Sequence, residues 1–276
     1  MELFVLCPRA SAVLGKPAML LEGPRGRRAL VVADLHIGWE SALADKGFHI
    51  PAQVGRMYRA LEGLLRAFEP DVLIFLGDVK HTVAGAEAEE WAQIPAFFEA
   101  LSDLTDRVVV VPGNHDGRLE VLLPDDVELS GSGGLELWGF GLFHGHAWPD
   151  PRILACETLI TGHMHPVVVF REGPFFRTTA RIWLLAPCDS ACLAYELEKR
   201  GRGRPEEPSA KRLIVMPSFN EFLGGQAINV RKRRAGDEKL IGPVLRTSCV
   251  SLADAEIYML DGTFLGTLDR LKEMRL

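Results

Sequence analysis

Three short apolar runs each end in residues able to bind metal ions or move protons. Arg28–Ala33 ends in Asp34-Leu-His36, Val72–Leu76 ends in Gly77-Asp78, and Val108–Val111 leads through Pro112 into Gly113-Asn114-His115-Asp116. Two later segments add imidazoles, Phe143-His144-Gly145-His146 and Thr161-Gly162-His163-Met164-His165. A lone His or Asp at a strand end is usually a cap or turn residue, but this many in order form a set. Carboxylate, imidazole and amide oxygen without thiolate suit Mn, Fe, Zn or Co, and no Cys pairs accompany the histidines to give zinc-finger spacing. A carboxylate such as Asp78 can bridge two ions roughly 3.5–4 Å apart. Two cations so held neutralise a phosphate and lower the pKa of a water, which is what phosphoester hydrolysis needs.

These groups meet only if the runs that carry them are neighbouring strands. Apart from Arg28, the runs Arg28–Ala33, Val72–Leu76 and Val108–Val111 are apolar and rich in β-branched residues, as strands buried on both faces are. Between the first two, Val54, Met57, Tyr58, Leu61, Leu64, Leu65 and Phe68 recur at spacings of three and four, which predicts a helix. Pro51 suits its first turn and Glu69-Pro70 ends it. A second helix is expected from about 86 to 104, bent or broken at Pro95. Strand–helix–strand–helix–strand implies a parallel sheet, whose carboxyl edge is where ligands bind. Leu3–Leu6 and Ala18–Leu21 read as strands before it, with a turn at Gly23–Gly26. After Asp116 the runs shorten: Leu135–Phe143, Thr158–Thr161, Val167–Phe170, Ile182–Leu185, Cys192–Leu197, Leu213–Met216 and Ile257–Leu260 suggest a second, more antiparallel sheet. Residues 200–212 and 231–239 read as exposed loops in what is otherwise one domain over 1–276.

Composition sets the outer limits. Hydrophobic residues at 47% and charged residues at 25% exclude a disordered chain. A net charge of −6 does not advertise nucleic-acid binding, although local basic clusters at Arg200–Arg204 and Arg231–Arg234 could contact phosphates. The five cysteines are scattered, which suits a reduced compartment better than a disulfide framework. Cys188 and Cys192 read as part of a buried strand and its turn rather than a metal site. No basic-then-apolar leader opens the sequence, and no apolar run approaches the roughly 18 residues of a membrane span, so the expected location is cytoplasmic.

The motif set resembles the calcineurin-like metallophosphoesterase superfamily, whose pattern D-x-H, G-D, G-N-H-D/E, H and G-H-x-H matches Asp34/His36, Gly77/Asp78, Gly113–Asp116, His144 and Gly162–His165. The resemblance implies an α/β fold, a four-layer α/β/β/α sandwich of two mixed sheets. It implies one metal held by Asp34, His36, Asp78 and His165, and a second held by Asp78, Asn114, His144 and His163. Manganese heads the expected ions, with Fe, Zn, Co or Ni as others. His115 would act as general acid or charge stabiliser with Asp116 orienting it, while a bridging hydroxide attacks in line. Val32–Gly38 and Leu213–Gly225 add a likeness to small phosphoesterases related to archaeal DNA-repair nucleases and to bacterial DNA-ligase-associated phosphoesterases. A phosphodiesterase of nucleic acid or nucleotide-type substrates is the function so implied. A phosphomonoesterase of small metabolites and a silent metal-binding scaffold are the alternatives; the complete ligand set argues against the scaffold.

Substrate contacts are less sharply marked. Lys80 and His81 follow Asp78 closely enough to meet a phosphate, and His146 could stand behind His144. Asn220, in a Pro217–Gly225 loop reaching towards the mouth, could point at substrate. Asp45–His49 reads as ordinary loop rather than rim. No membrane partner is expected.

Overall fold

The computed structural model describes residues 1–44, 47–172, 176–230 and 241–274. Leu3–Cys7 (β1), Ala10–Val13 (β2) and Met19–Glu22 (β3) form an antiparallel meander that leads into Arg28–Val32 (β4). A short helix, Trp39–Ala44 (α1), and a longer one, Val54–Phe68 (α2), then cross to Val72–Leu76 (β5). Ala88–Ser102 (α3) crosses to Val108–Val111 (β6), and Val127–Leu129 (β7) completes a sheet in which β4 to β7 run parallel. The register pairs Val32 with Phe75 and Leu76 with Val111. Three strands therefore end level, and their polar tips share one edge.

The second sheet holds Leu135–Leu137 (β8), Phe140–Leu142 (β9), Thr158–Thr161 (β10), Pro166–Glu172 (β11), Phe176–Pro187 (β12), Arg212–Val215 (β13), Gln226–Ala227 (β14), Glu256–Met259 (β15) and Phe264–Thr267 (β16). Parallel pairing of β9, β10 and β13 at its centre is flanked by antiparallel pairs such as β11 with β12. Two helices, Ser190–Lys199 (α4) and Leu268–Glu273 (α5), belong to this half.

Strand alternation builds three apolar layers. Leu30, Val32, Leu73, Phe75, Val108 and Val110 face α2 and α3, meeting Leu61, Leu65, Phe97 and Phe98. Their neighbours Val31, Ile74 and Val109 face the other way and pack with Leu142, Ile160, Trp183 and Ile214 of the second sheet. Leu159, Leu184, Leu213 and Val215 turn outward onto Leu193 and Leu197 of α4 and Leu268 and Leu271 of α5. Each such side chain contributes roughly 1.5–3 kcal/mol on burial. Helix, sheet, sheet, helix is thus the order of layers, an α/β architecture of two mixed sheets.

Several local expectations change. Cys192–Leu197 lies in helix α4, because Asp189 Oδ1 caps it by accepting from Ala191 N (2.9 Å) and Cys192 N (3.1 Å). Leu193, Ala194 and Leu197 then share its buried face, a helical spacing mistaken for a strand run. Leu135–Phe143 is a hairpin rather than one strand: Trp138 and Gly139 both take positive φ (53° and 85°), as a tight two-residue turn requires. Helix α3 runs unbroken past Pro95, carried by its buried residues Ile94, Phe97, Phe98 and Leu101. The cysteines also differ from expectation, since Cys192 and Cys249 form a disulfide while Cys7, Cys156 and Cys188 are free. Residues 200–211 form an irregular connection, but Arg200 and Arg204 pair with Glu196 and Glu198 of α4. The loop and basic cluster at 231–239, like Asp45 of the suggested rim, lie outside the described residues. No helix among those described is long and apolar enough to cross a membrane.

Candidate metal centre

The hydrogen bonding of β4 and β5 continues beyond the strands and sets the first two tips side by side. Asp34 N donates to Gly77 O (3.1 Å), His36 N to Asp78 O (2.8 Å) and Ile37 N to Val79 O (2.8 Å). Asp34, His36 and Asp78 all adopt positive φ, as do His163 and His165, so five of the ten such non-glycine residues among those described are candidate ligands. Backbone in that region is held at a cost and gathers at functional sites. Two glycines make the crowding possible. A Cβ on Gly77 would fall 2.1 Å from His144 Nδ1, and one on Gly113 would fall 2.2 Å from Asp78 Oδ1.

Among the described residues the side chains converge as two carboxylate-bearing groups and a third of imidazoles alone, His36, His81 and His115. Asp34, His36 and His165 present ligand atoms within 4.8 Å of one another, and so do Asp78, His144 and His163. Asp78 Oδ2 lies 3.4 Å from both His36 Nε2 and His144 Nε2, while Asp34 Oδ1 lies 3.3 Å from His165 Nε2 and 3.7 Å from His144 Nδ1. The two carboxylates thus tie the groups together. His163 N donates to both oxygens of Asp34 (3.1 Å each), and His115 N donates to Asp78 Oδ1 (2.9 Å). Asn114 is exposed in the third tip, between Gly113 and His115.

Whether these residues suit metal ions is tested by their unused atoms. Nε2 of His36, His144 and His165 is buried without a hydrogen-bond partner, although each points to a carboxylate. Buried polar atoms are normally satisfied, and the exceptions need a reason such as an ion. The other nitrogens are used as metal-bound imidazoles use them: His144 Nδ1 donates to Leu76 O (2.9 Å) and His165 Nδ1 to Gly224 O (3.3 Å). The donor set fits divalent cations.

Charge reinforces the fit. Burial opposes ionisation of Asp78, yet His144 and His36 hold its carboxyl well below the usual value. Asp34 is likewise held low against burial by His165 and His144. For His144 burial disfavours the cation, but Asp78 and Asp34 outweigh it and push the imidazole up to about 10. His165 is also raised, with Asp34 overcoming burial. Burial drives His36 down to about 3.

His115 stands at the side of this cluster, its ring 4.6 Å from His36 and stacked 5.6 Å from His81. Its Nδ1 bonds the His81 carbonyl, so that nitrogen must carry the proton. Asp116 does not orient the ring. Its Oδ1 accepts from Val79 N (2.9 Å) and Lys80 N (3.2 Å) and its Oδ2 from Gly113 N (2.7 Å), which clamps the second tip to the third. Burial, then the Asp78 charge, raises its carboxyl to about 6. Asp116 is a positioning residue.

The suggested substrate contacts divide. His81 belongs to the cluster, with Nδ1 3.4 Å from His36 Nδ1. His146 is half-buried 5.3 Å from the His144 ring, and burial followed by the His144 charge lowers it to about 4. Lys80 is not at the rim: it is fully buried with Nζ donated to Thr82 O. Asn220 is buried too, its Nδ2 donating to Leu35 O (3.0 Å) and its Oδ1 accepting from Phe222 N (3.1 Å). That makes it a brace for the Asp34–His36 turn, because both ends of its amide are spent on backbone. Sequence reasoning missed Glu90, which is buried and accepts from His81 N (2.9 Å), Thr82 N (2.8 Å) and Glu87 N (2.9 Å). Its only sequence signal was the Glu87-x-x-Glu90 spacing of a capping box at the start of α3.

A histidine-rich centre with two buried carboxylates, at the carboxyl edge of one sheet in an α/β/β/α sandwich, fits a class of metal-dependent phosphoester hydrolases. The chain belongs to the calcineurin-like phosphoesterase family, whose model matches residues 27–178. Among solved structures it is similar in fold to the Pseudomonas putida nuclease MPE, with a TM-score of 0.56 and 20% identity over 94% of this chain and 96% of that one. No curated protein sequence matches it significantly.

Proposed function

We propose that the chain is a two-metal phosphodiesterase acting on nucleic acid or nucleotide-type substrates, with manganese as its working ion. The observation that carries this reading is the pairing of two ligand groups across Asp34 and Asp78, each with unsatisfied imidazole nitrogens turned inward. Asp34, His36, Asp78 and His165 would hold one ion, and Asp78, Asn114, His144 and His163 the other. Bound divalent ions supply charge neutralisation for the phosphate and a water of lowered pKa.

The chain's own residues do the rest. Asp116 and Asn220 fix the three tips, so the ligands keep their geometry as substrate enters. His115, whose Nδ1–H donates to the His81 carbonyl, presents Nε2 to the site, and as the doubly protonated imidazolium it would pass the Nε2 proton to the departing alkoxide or offset its charge. Nucleic acid as the substrate class is supported by the half-buried His81 and His115 and the exposed Asn114, which leave the centre reachable from solvent. The fold shared with a nuclease is consistent with it.

Hydrolysis of bis-p-nitrophenyl phosphate and p-nitrophenyl phosphate by metal-stripped protein, with Mn²⁺ restored, tests the reading. Mn²⁺-dependent cleavage that favours the diester is expected. Preference for the monoester would replace it with a metabolite phosphatase, and silence on both with metal bound would restore the scaffold alternative.

A further inference from the structure

The segment that braces the metal centre has a second side. Asn220 grips the Asp34–His36 turn, and Gly224 O accepts from His165 Nδ1, so residues 220–224 span from one candidate ligand loop to another. Phe222 lies at the middle of that span. Its ring stacks with Trp39 (centroids 6.2 Å apart, 21° between planes), and Trp39 N donates to His36 O (3.1 Å). Phe222 nevertheless remains 41% exposed, an aromatic pair at the edge of the metal centre with surface left over.

Beside it opens a cavity of about 130 Å³ lined by Lys16, Gln53, Arg56, Arg181, Glu221 and Phe222, among others. Three cations face one carboxylate there, a local surplus of two positive charges in a chain whose net charge is −6. Arg181 is anchored, its Nη1 donating to Ser218 O (3.0 Å) and Phe219 O (3.3 Å). Arg56 pairs with Glu221, and its guanidinium lies 5.3 Å from the Phe222 ring centre. Its side chain is 56% exposed despite these contacts, and Lys16 of the same cavity is exposed too.

We propose that this cleft is the subsite for the nucleotide adjoining the phosphodiester at the metal centre: its phosphate pairs with Arg56 and Lys16, and its base lies on the Trp39–Phe222 pair. The inference rests on the nucleic-acid reading above. A planar base and an anion a few ångströms apart are what an aromatic pair beside surplus positive charge recognises, and stacking of this kind tolerates any base. Arg56 leaves the Phe222 ring to meet the phosphate, which opens the ring face to the base. Glu221 offsets one of the three cations and leaves two for the strand. Recognition of an unpaired nucleotide follows, because a base held in a duplex cannot reach Phe222.

The test is binding of a fluorescein-labelled, phosphorothioate-linked oligothymidylate to the Mn²⁺-loaded full chain, read by anisotropy at two salt concentrations. Phe222→Leu, which keeps bulk and removes the ring, should weaken binding roughly tenfold, while Phe222→Tyr should restore it. Lys16→Glu should weaken binding and reduce its salt dependence by about one ion. Phe222→Leu binding as tightly as the unmodified chain overturns the subsite and leaves the nucleic-acid reading standing. If the unmodified chain binds no oligonucleotide yet hydrolyses bis-p-nitrophenyl phosphate, the nucleic-acid reading itself fails and takes the subsite with it.

Discussion

His144 Nε2 lies 3.4 Å from Asp78 Oδ2 in a wholly buried contact, and the imidazole nitrogen has no hydrogen-bond partner. In the metal-free chain burial disfavours the imidazolium, but the Asp78 and Asp34 carboxylates outweigh it and lift His144 to about 10. A folded-state pKa raised above 6.5 gives stability that is fully present below 6.5 and lost as pH rises through about 10. Metal ions need the neutral imidazole, so binding at pH 7 must expel a proton from His144. Titration of Mn²⁺ in buffers of different ionisation enthalpy should show proton release, and affinity should strengthen with rising pH. Binding without proton release would remove His144 from the ligand set.

Asp78→Asn should remove both ions together. The carboxylate approaches imidazoles from both groups, so its loss should exceed the roughly 10–100-fold cost of removing a mere supporting residue. Metal content and turnover are measured on the same preparation, and retention of two ions would contradict the bridging assignment.

His115→Ala should leave metal content unchanged and lower turnover by roughly 10²-fold or more, the scale of a lost acid–base group. A substrate with a much better leaving group should be affected less. Equal losses on good and poor leaving groups would point to charge stabilisation instead.

Asp116→Asn replaces one acceptor of three backbone N–H groups with a donor. It should destabilise the fold by about 1–3 kcal/mol in urea unfolding and weaken metal binding through displacement of Asp78. Unchanged stability would mean that water satisfies those N–H groups.

The Cys192–Cys249 bridge closes a separation of 57 residues and tethers the segment after 241 to α4. That segment reaches the metal loops, since a Cβ on Gly242 would meet Gly145 O at 2.0 Å. Cys192→Ser should lower stability by about 2–4 kcal/mol. Its unfolding transition compared with the parent under non-reducing conditions checks this, and coincident transitions would show that the bridge adds nothing.

Much of this molecule was legible because burial on both faces makes β4, β5 and β6 continuous apolar runs, and each run stops where a ligand begins. The residues brought together at the tips could be named for that reason. What could not be read was direction. Lys80 adjoins Asp78 and Asn220 lies in a distant loop, and only the folded turns show them spent on Thr82 O and Leu35 O. Asp116 looked like a partner for the adjacent His115, but its carboxylate folds back to Gly113, Val79 and Lys80. Glu90 was hidden because a capping glutamate looks the same whether or not it also holds the His81 loop. The helix α4 was misread because its buried residues fall too close together in a short window to separate a period of 3.6 from one of two. Pairing of Cys192 with Cys249 joins positions whose proximity no local pattern announces.

The proposed centre holds two ions with Asp78 shared between them, and calorimetric titration of Mn²⁺ into the metal-stripped chain tests it most directly. Two ions bound per chain are expected, with hydrolysis of bis-p-nitrophenyl phosphate appearing as the second is filled. Saturation at a single ion, with full activity already reached, would contradict it.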